Sequence, residues 1–475
     1  MAYAGMEPLV DRVSDSCGVN VSVGRTTDSC HRVTETVTVP QSVGPRQVER
    51  LTDPLFVSAW IANVLLVTAN AALFIFADWI AWLATSHPAE TAVIYQEELP
   101  GRIIQTGLIA AILSRLFLGQ TIDRFGVRRV WIVLGISTLA GSTVFASVTT
   151  VSPALYVGRV LYIVGVSGVF TCSAFYIQAS VAEHRRTEFL GLLGSSGFVG
   201  MILGTQLVEG LKWLNEGNEI YFRHAFQMVI ACNAAYVVLI WILTRGFPKR
   251  QRGIRPSLPT MMKDYWPGPV VLVAMVTGLV FTVPGLYLIR FNRHVGLGGI
   301  AEYWTAYALS AFALRIMTAQ LSQKVGRYRL ITVGLLAQGT GLLAIIPATQ
   351  AWHLVVSAII CGLGHALLFP SIVSLGCGRF PANYRGSGTN LTIGFMDLGT
   401  AISAPLLGRI IDLEMFDRAG YPQMFLIAGL TTLASGFAWQ MWHWGRVDSE
   451  IIKLTEQVNH PLTDRRRPDE SQYTY

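Results

Sequence analysis

The sequence predicts an all-α membrane protein with twelve transmembrane helices, and three observations lead to this expectation. Of the 475 residues, 52% are hydrophobic and only 14% are charged, with a mean hydropathy of +0.46. A soluble domain carries about 25% charged residues. The apolar residues form long blocks, such as 129–150, 225–245 and 267–289, and about 20 of them suffice to cross a bilayer as a helix. The sequence lacks the alternation over about 10 residues that membrane β-strands show.

Twelve apolar segments follow one another between two polar tails. The first six are 55–82, 103–122, 129–150, 154–180, 189–213 and 225–245, and the last six are 267–289, 302–322, 329–349, 352–376, 390–412 and 422–444. We expect a disordered N-terminal tail over 1–50, a six-helix bundle over 51–245, a linker over 246–266, a second bundle over 267–445 and a C-terminal tail over 446–475.

The basic residues predict the orientation of the chain. Lys and Arg concentrate in alternate connections between segments, whereas the other connections are poor in them, and the basic side of a membrane protein is cytoplasmic. This pattern places both tails in the cytoplasm and the protein in the cell (inner or plasma) membrane. It also explains the net charge of +7 without a nucleic-acid partner. The basic set is Arg124, Arg128, Arg129, Arg185, Arg186, Arg245, Lys249, Arg250, Arg252, Arg255, Lys263, Lys324, Arg327, Arg329, Arg379 and Arg385.

The two halves of the chain resemble each other at a fixed offset of 200 residues. The end of the second segment, SRLFLGQTIDRFGVRR, corresponds to LRIMTAQLSQKVGRYR at the end of the eighth. The link AEHRRTE between segments four and five likewise corresponds to ANYRGSG between segments ten and eleven. Such a repeat predicts two six-helix bundles related by a pseudo-twofold axis along the membrane normal, with a solute site between them near the midplane.

The connection after the second segment resembles a signature of the major facilitator superfamily (MFS). That family pattern has Gly, then Asp-Arg, Gly and paired basic residues, and the resemblance covers residues 55–445. It implies the MFS fold and a secondary transporter that works by alternating access. By resemblance this loop latches the two bundles on the cytoplasmic side, although the arginines could be topology charges only. The residues concerned are Gly119, Asp123, Arg124, Gly126, Arg128 and Arg129.

Ionisable residues within the apolar segments are candidates for function, because a charge inside a bilayer is costly. Arg115 in the second segment and Asp397 in the eleventh have similar depths, and in the MFS family these two helices are neighbours. We therefore predict that they pair, either as a gate or as a permanent structural contact, and Arg315 joins the gating candidates. Asp78 and Asp397 are the candidates for proton coupling, with Glu209 weaker. Asp78 could instead be solvated at the outer surface.

The candidates for solute contact are polar and aromatic residues, most of them on the segments that line the cavity in the MFS family. Each could equally serve as interhelical packing or as an interfacial aromatic residue. Arg159 and Arg290 favour an anionic solute, such as a carboxylate. Thr205 stands where antiporter relatives carry Pro, which weakens the case for a drug/proton antiporter. The candidate set is Asn70, Arg159, Tyr162, Tyr176, Gln178, Tyr287, Arg290, His365 and Ser371.

Other classes of protein find little support in the sequence. The phosphate-binding pattern GxxxxGK[ST] is absent, as are HExxH and GxSxG, so we expect no ATPase and no enzyme of these types. The cysteines show no metal-ligand spacing, and we expect no cofactor or metal. The expected partners are the lipid bilayer and a small solute, and the expected functional unit is a monomer. Symport and antiport both stay open, and the competing function is a transporter-like receptor that binds solute without moving it.

Overall fold

The computed structural model describes residues 50, 52–86, 98–181, 186–216, 218–245, 258–297, 300–317, 325–381, 384–413 and 420–444. The predicted tails and most of the predicted linker lie outside these residues. The helices of the first half are α1 (Pro54–Ser86), α2 (Glu98–Phe125), α3 (Val127–Ser147), α4 (Pro153–Ser180), α5 (Arg186–Leu214) and α6 (Tyr221–Leu243). Those of the second half are α7 (Val270–Val295), α8 (Ala301–Met317), α9 (Arg327–Leu343), α10 (Ala351–Gly378), α11 (Arg385–Asp412) and α12 (Tyr421–Trp442).

Ten helices in the described part of the chain are long and apolar enough to cross a membrane. The other two, α8 and α9, have 17 described residues each, at the lower limit for a spanning helix. The predicted segment 302–322 runs beyond the end of α8 into residues outside the described set. A short linker helix, Leu258–Asp264, precedes α7.

Local sequence determines several helix ends. Asp53 caps α1 by accepting a hydrogen bond from the Leu55 backbone amide at 2.9 Å, and Pro54 occupies the first turn, where its missing N–H costs nothing. Gly126 separates α2 from α3 with φ 83° and ψ 147°, and Gly326 precedes α9 with φ 88° and ψ 146°. This region of backbone space is open essentially to glycine alone. The two glycines stand 200 residues apart and adopt the same conformation.

Helix packing follows the same repeat. In the first half α1 packs on α5, α2 on α4, and α3 on α4 and α6; in the second half α7 packs on α11, α8 on α10, and α9 on α10 and α12. The two halves meet where α2 packs against α11 and α5 against α8. Near Gly101 of α2 the first of these contacts is so close that a β carbon would lie 2.5 Å from the Ala404 carbonyl oxygen of α11.

The first helix of each half departs from α-helical geometry at mid-length. Residues Leu73–Ile75 of α1 form a 3₁₀ turn, and Val283–Tyr287 of α7, which includes Pro284, form a π turn. We call the end of the bundle where α2, α8 and α10 finish the motif end, because Gly126 and Gly326 lie there. The end where α1 and α7 finish is the opposite end.

Candidate functional site

A cavity of about 150 Å³ lies between the two halves. Five helices contribute to its wall: α1, α2 and α4 from the first half and α7 and α11 from the second. Phenylalanine rings and aliphatic side chains share the apolar lining, and the two irregular turns of α1 and α7 both reach it. The lining residues are Asn70, Leu73, Phe74, Phe76, Ile104, Arg159, Phe281, Thr282, Gly285, Leu286 and Thr400.

Arg159 provides the only charged side chain among these lining residues. Its guanidinium carbon lies 4.8 Å from the centre of the Phe76 ring, and cations are attracted to aromatic faces. Its Nε is shielded from solvent and has no hydrogen-bond partner in the described structure. A buried polar group without a partner is costly, so an anion that binds the Arg159 side chain from the cavity and draws its Nε–H into a hydrogen bond would relieve that cost.

The predicted pairing of Arg115 with Asp397 is present in the structure. Arg115 Nη2 lies 2.9 Å and Nε 3.1 Å from the same carboxylate oxygen of Asp397, and Arg115 Nη1 donates to Asn390 Oδ1 at 2.6 Å. Thr171 of α4 donates to the same Asn390 oxygen at 3.3 Å. Arg115 is 7% exposed. This group therefore ties α2 and α4 of the first half to α11 of the second.

A second cross-half ion pair lies towards the opposite end. Arg293 of α7 lies 2.8 Å from Asp78 of α1 and 3.5 Å from Glu219, which precedes α6. The Tyr221 hydroxyl donates to Asp78 at 3.4 Å. Asp78 is only 2% exposed, so the alternative of a solvated Asp78 is wrong: the carboxylate is buried and paired. Burial raises the pKa of Glu219, and the neighbouring Arg293 opposes that shift.

Three further contacts join the halves towards the opposite end. The Glu98 backbone amide at the start of α2 donates to Asp412 of α11 at 3.0 Å. Gln206 of α5 donates to Thr305 of α8 at 2.9 Å. The rings of Phe74 on α1 and Trp304 on α8 stack with centroids 4.4 Å apart. The cavity is therefore bordered on this side by side chains from both halves.

His365, another predicted solute contact, lies in an aromatic cluster at the α5–α8–α10 junction. Its Nδ1 is 2.8 Å from the Tyr307 hydroxyl. The imidazole stacks on Phe281, whose ring centroid is 4.8 Å away, and on Phe369 at 5.6 Å, while Phe198 of α5 approaches edge-on at 5.9 Å. Since Phe281 also lines the cavity, His365 supports the cavity wall from behind.

The remaining predicted solute contacts lie elsewhere. Tyr162 packs on Phe145 in the core of the first half, and Tyr176 packs on Trp131. The Tyr287 hydroxyl donates to the Ala404 carbonyl, and Ser371 donates to the Leu367 carbonyl of its own helix. Arg290 lies one turn before Arg293 on α7. The side chain of Gln178 lies outside the described set. Asn70 and Arg159 are the predicted contacts that line the cavity.

The motif residues lie where the resemblance places them along the chain. Gly119, Asp123 and Arg124 belong to the last two turns of α2, and Arg128 and Arg129 to the first turn of α3. Arg124 lies over the Phe125 ring at 5.2 Å. The side chain of Asp123 is not among those described, so its contacts stay a prediction.

Sequence reasoning missed Arg293, Asn390 and Phe281 as members of these sites. Arg293 follows the predicted segment 267–289 and so looks like a charge in a connection, yet its i+3 spacing from Arg290 could have placed it on the same face of α7. Asn390 lies seven residues before Asp397, two helical turns away on the same face, and that spacing was a usable signal. For Phe281 the sequence carried no such signal, because the part of α7 around it, Val270–Thr282, is apolar on every side.

Comparisons with known proteins agree with this architecture. The family model described as Major Facilitator Superfamily matches residues 59–404 and 305–463. An uncharacterized MFS-type transporter of Salmonella typhimurium is 26% identical over 356 residues, covering 70% of this chain and 84% of that protein.

Among solved structures, the nucleoside transporter NupG, crystallised as a point mutant, is 13% identical with a TM-score of 0.66, covering 82% of this chain and 99% of that one. A POT family transporter in complex with 5-aminolevulinic acid is 11% identical with a TM-score of 0.68, covering 84% and 98%. At these identities the structures establish the fold alone, whereas the family match covers most of the chain. The chain therefore belongs to the Major Facilitator Superfamily and is a membrane transporter of the MFS type.

Proposed function

We propose that the protein carries a small anionic solute, such as a carboxylate, across the cell membrane by alternating access between halves 51–245 and 267–445. The observation that carries this proposal is Arg159 at the cavity wall, with a shielded Nε that lacks a hydrogen-bond partner in the described structure. A guanidinium matches carboxylate geometry and binds it with charge-assisted hydrogen bonds. Asn70 and Thr400 offer neutral polar groups on the same wall.

The two cross-half ion pairs act as gates in this proposal. Arg115–Asp397 lies nearer the motif end, predicted to be cytoplasmic, and Arg293–Asp78 lies nearer the opposite end. Alternating access requires one set of cross-half contacts to break while the other forms. Protonation of Asp397 or Asp78 would remove the negative member of a pair, which makes these two carboxyls the candidates for coupling transport to protons.

Uptake into proteoliposomes tests the anionic preference. A panel of small carboxylates is compared with the matching amides, and with amino acids, sugars and cationic drugs. We expect carboxylates to be transported and the amides to be rejected, because a buried cation discriminates strongly against a neutral isostere. Arg159→Gln should reduce uptake about tenfold or more, whereas Arg223→Gln, at an exposed arginine, should leave it unchanged. Transport of the amides at equal rates would overturn the anionic assignment.

The same vesicles separate a transporter from a receptor and test proton coupling. An imposed pH gradient should accelerate uptake in wild type, and Asp397→Asn should abolish that acceleration while counterflow exchange persists. If the purified protein binds the carboxylate but produces no flux under any gradient, the receptor function replaces the proposal. If the uptake rate of wild type does not depend on the pH gradient, proton coupling is ruled out, while the proposed transport of an anionic solute stands.

A further inference from the structure

Arg315 of α8 is the counterpart of Arg115 in the internal repeat, but its surroundings differ. Both arginines face a glycine on the helix across the half interface: a β carbon on Gly394 would lie 3.7 Å from Arg115 Cδ, and one on Gly194 would lie 3.8 Å from Arg315 Nη2. Positions 194 and 394 are again 200 residues apart. The α2–α11 and α5–α8 contacts are therefore two copies of one arrangement.

The carboxylate that completes the first copy has no equivalent in the second. Asp397, one turn beyond Gly394, pairs with Arg115; the matching position on α5 is Gly197. A β carbon at Gly197 would meet no atom within 4 Å. Arg315 makes no hydrogen bond or ion pair that the described residues record. The second copy thus combines a partly buried guanidinium with open space at the position of the missing carboxylate.

We propose that this Arg315–Gly197 position is an anion subsite, separate from the Arg159 cavity, which takes the carboxylate group of a small organic acid. The internal repeat supplies the physical template, because Asp397 shows which chemical group satisfies the same arginine geometry. The choice of a carboxylate rests on the proposed anionic solute; the existence of the subsite rests on the repeat alone.

Charge-selective cysteine labelling tests the subsite directly. Gly194→Cys and Gly394→Cys are made separately in full-length protein whose six cysteines are replaced by Ala or Ser. Each is reacted with the anionic sulfonatoethyl and the cationic trimethylammonium-ethyl methanethiosulfonates. We expect the ratio of anionic to cationic rates to be about tenfold higher at 194 than at 394, because Asp397 neutralises Arg115 and nothing in the described residues neutralises Arg315. Arg315→Gln should abolish the difference.

Protection by a carboxylate distinguishes a binding site from a positive potential. Potassium succinate should slow the labelling of Cys at 194 in a saturable way, whereas potassium chloride at equal ionic strength should not. Succinate should still slow the labelling of Cys at 194 in the Arg159→Gln variant, because the subsite does not depend on Arg159. A failure of the cavity proposal can therefore be told apart from a failure of the subsite. Equal charge ratios at the two positions, or protection that disappears with Arg159→Gln, would overturn the subsite.

A variant that fills the position offers a test without cysteine replacement. Gly197→Asp restores the carboxylate found in the other copy, and Gly197→Asn supplies the same shape without charge. In otherwise unaltered protein, we expect succinate to raise the thermal unfolding midpoint of Arg159→Gln. Adding Gly197→Asp or Gly197→Asn to Arg159→Gln should abolish that rise, because either side chain occupies the space that the succinate carboxylate would take. Only Gly197→Asp should also raise the midpoint without ligand, because it alone supplies the missing charge. A succinate response that persists in the Gly197→Asp combination, or equal ligand-free midpoints of the Asp and Asn combinations, would contradict the proposal.

Discussion

The Arg115–Asp397 pair is the residue-scale feature for which we expect a contribution to stability and propose a role in gating. Its side chains are 8% and 22% exposed, and removing one member of a buried pair leaves the other uncompensated. We expect Arg115→Gln or Asp397→Asn alone to lower the free energy of unfolding by about 3 kcal/mol or more. The double variant should lose less free energy of unfolding than the sum of the two single losses. A double-mutant cycle built from thermal or chemical unfolding transitions measures this difference.

The proposed gating role predicts a separate effect of the same two single variants, on the rate of transport. If the pair breaks during the cycle, the folded single variants should transport slowly even at temperatures where they are fully folded. Normal uptake by both single variants would leave the pair as a structural contact only.

Glu219 gives a pH-dependent prediction at the same scale. Its pKa is raised from the usual 4.5, mainly by burial, so the folded state holds the proton more tightly than the unfolded state. This contribution to stability is complete below about pH 4.5 and is lost as the pH rises through the raised pKa. Relative to Glu219→Gln, wild type should therefore lose stability as the pH rises through that window, which melting curves at several pH values can measure. A difference that does not change with pH would contradict it.

At the residue scale, the sequence predicted the Arg115–Asp397 ion pair but did not predict which side of each helix faces the cavity. Arg115 and Asp397 could be paired in advance because charges within a membrane need partners, the two residues have similar depths, and the MFS resemblance makes their helices neighbours. Tyr162, Tyr176 and Tyr287 could not be assigned to core or cavity, since helices that are apolar on every side carry no periodic signal for the face that meets the cavity. Asp78 was undecided for a related reason: its partner Arg293 is distant in sequence.

The turn glycines belong to the scale of the helices, because they set the angle between consecutive elements. Gly126→Ala and Gly326→Ala each place a β carbon in backbone geometry that costs about 1–3 kcal/mol. We expect each to lower the unfolding midpoint by a similar amount, since the two conformations agree within 5° in φ. Gly119→Ala is the matched control: a β carbon there meets nothing within 4 Å, and alanine favours the helix.

The control variant Gly119→Ala also tests whether the motif glycine is needed for transport. If Gly119→Ala keeps full stability but loses transport, position 119 must approach another helix in a second conformation, which would support the latch implied by the family resemblance. If Gly126→Ala and Gly326→Ala are as stable as wild type, the turns do not constrain the helices. Helix positions themselves were predictable from hydropathy, and the structure moves most boundaries by only a few residues.

At the scale of the whole molecule, alternating access predicts that contacts between the halves must open whereas contacts within a half need not. Gln206 and Thr305 join α5 to α8 across the halves. Thr332 and Gln440 join α9 to α12 within the second half, with an equal hydrogen-bond length of 2.9 Å. We expect a short bifunctional thiol reagent to stop transport in Gln206→Cys with Thr305→Cys, and a reductant to restore it.

The cross-link at Thr332→Cys with Gln440→Cys provides the comparison. It should leave uptake nearly unchanged, because both helices belong to one moving body. Equal inhibition at the two cross-links would argue against rigid halves, and no inhibition at either would argue against opening between α5 and α8. The offset of 200 residues predicted the division into halves and aligns Gly197 with Asp397, whereas the approach of Arg115 to Gly394 and of Arg315 to Gly194 emerged only from the spatial arrangement.

The 3₁₀ turn of α1 and the π turn of α7 have a consequence for amide hydrogen exchange. Amides in the middle of membrane helices normally exchange slowly, because their hydrogen bonds are regular and water is excluded. Residues Leu73–Ile75 and Val283–Tyr287 interrupt that regularity, and Leu73, Gly285 and Leu286 border the cavity. In deuterated buffer the amides of these two short stretches should exchange early, although the rest of each helix exchanges slowly. A bound solute should slow the exchange of these amides as well.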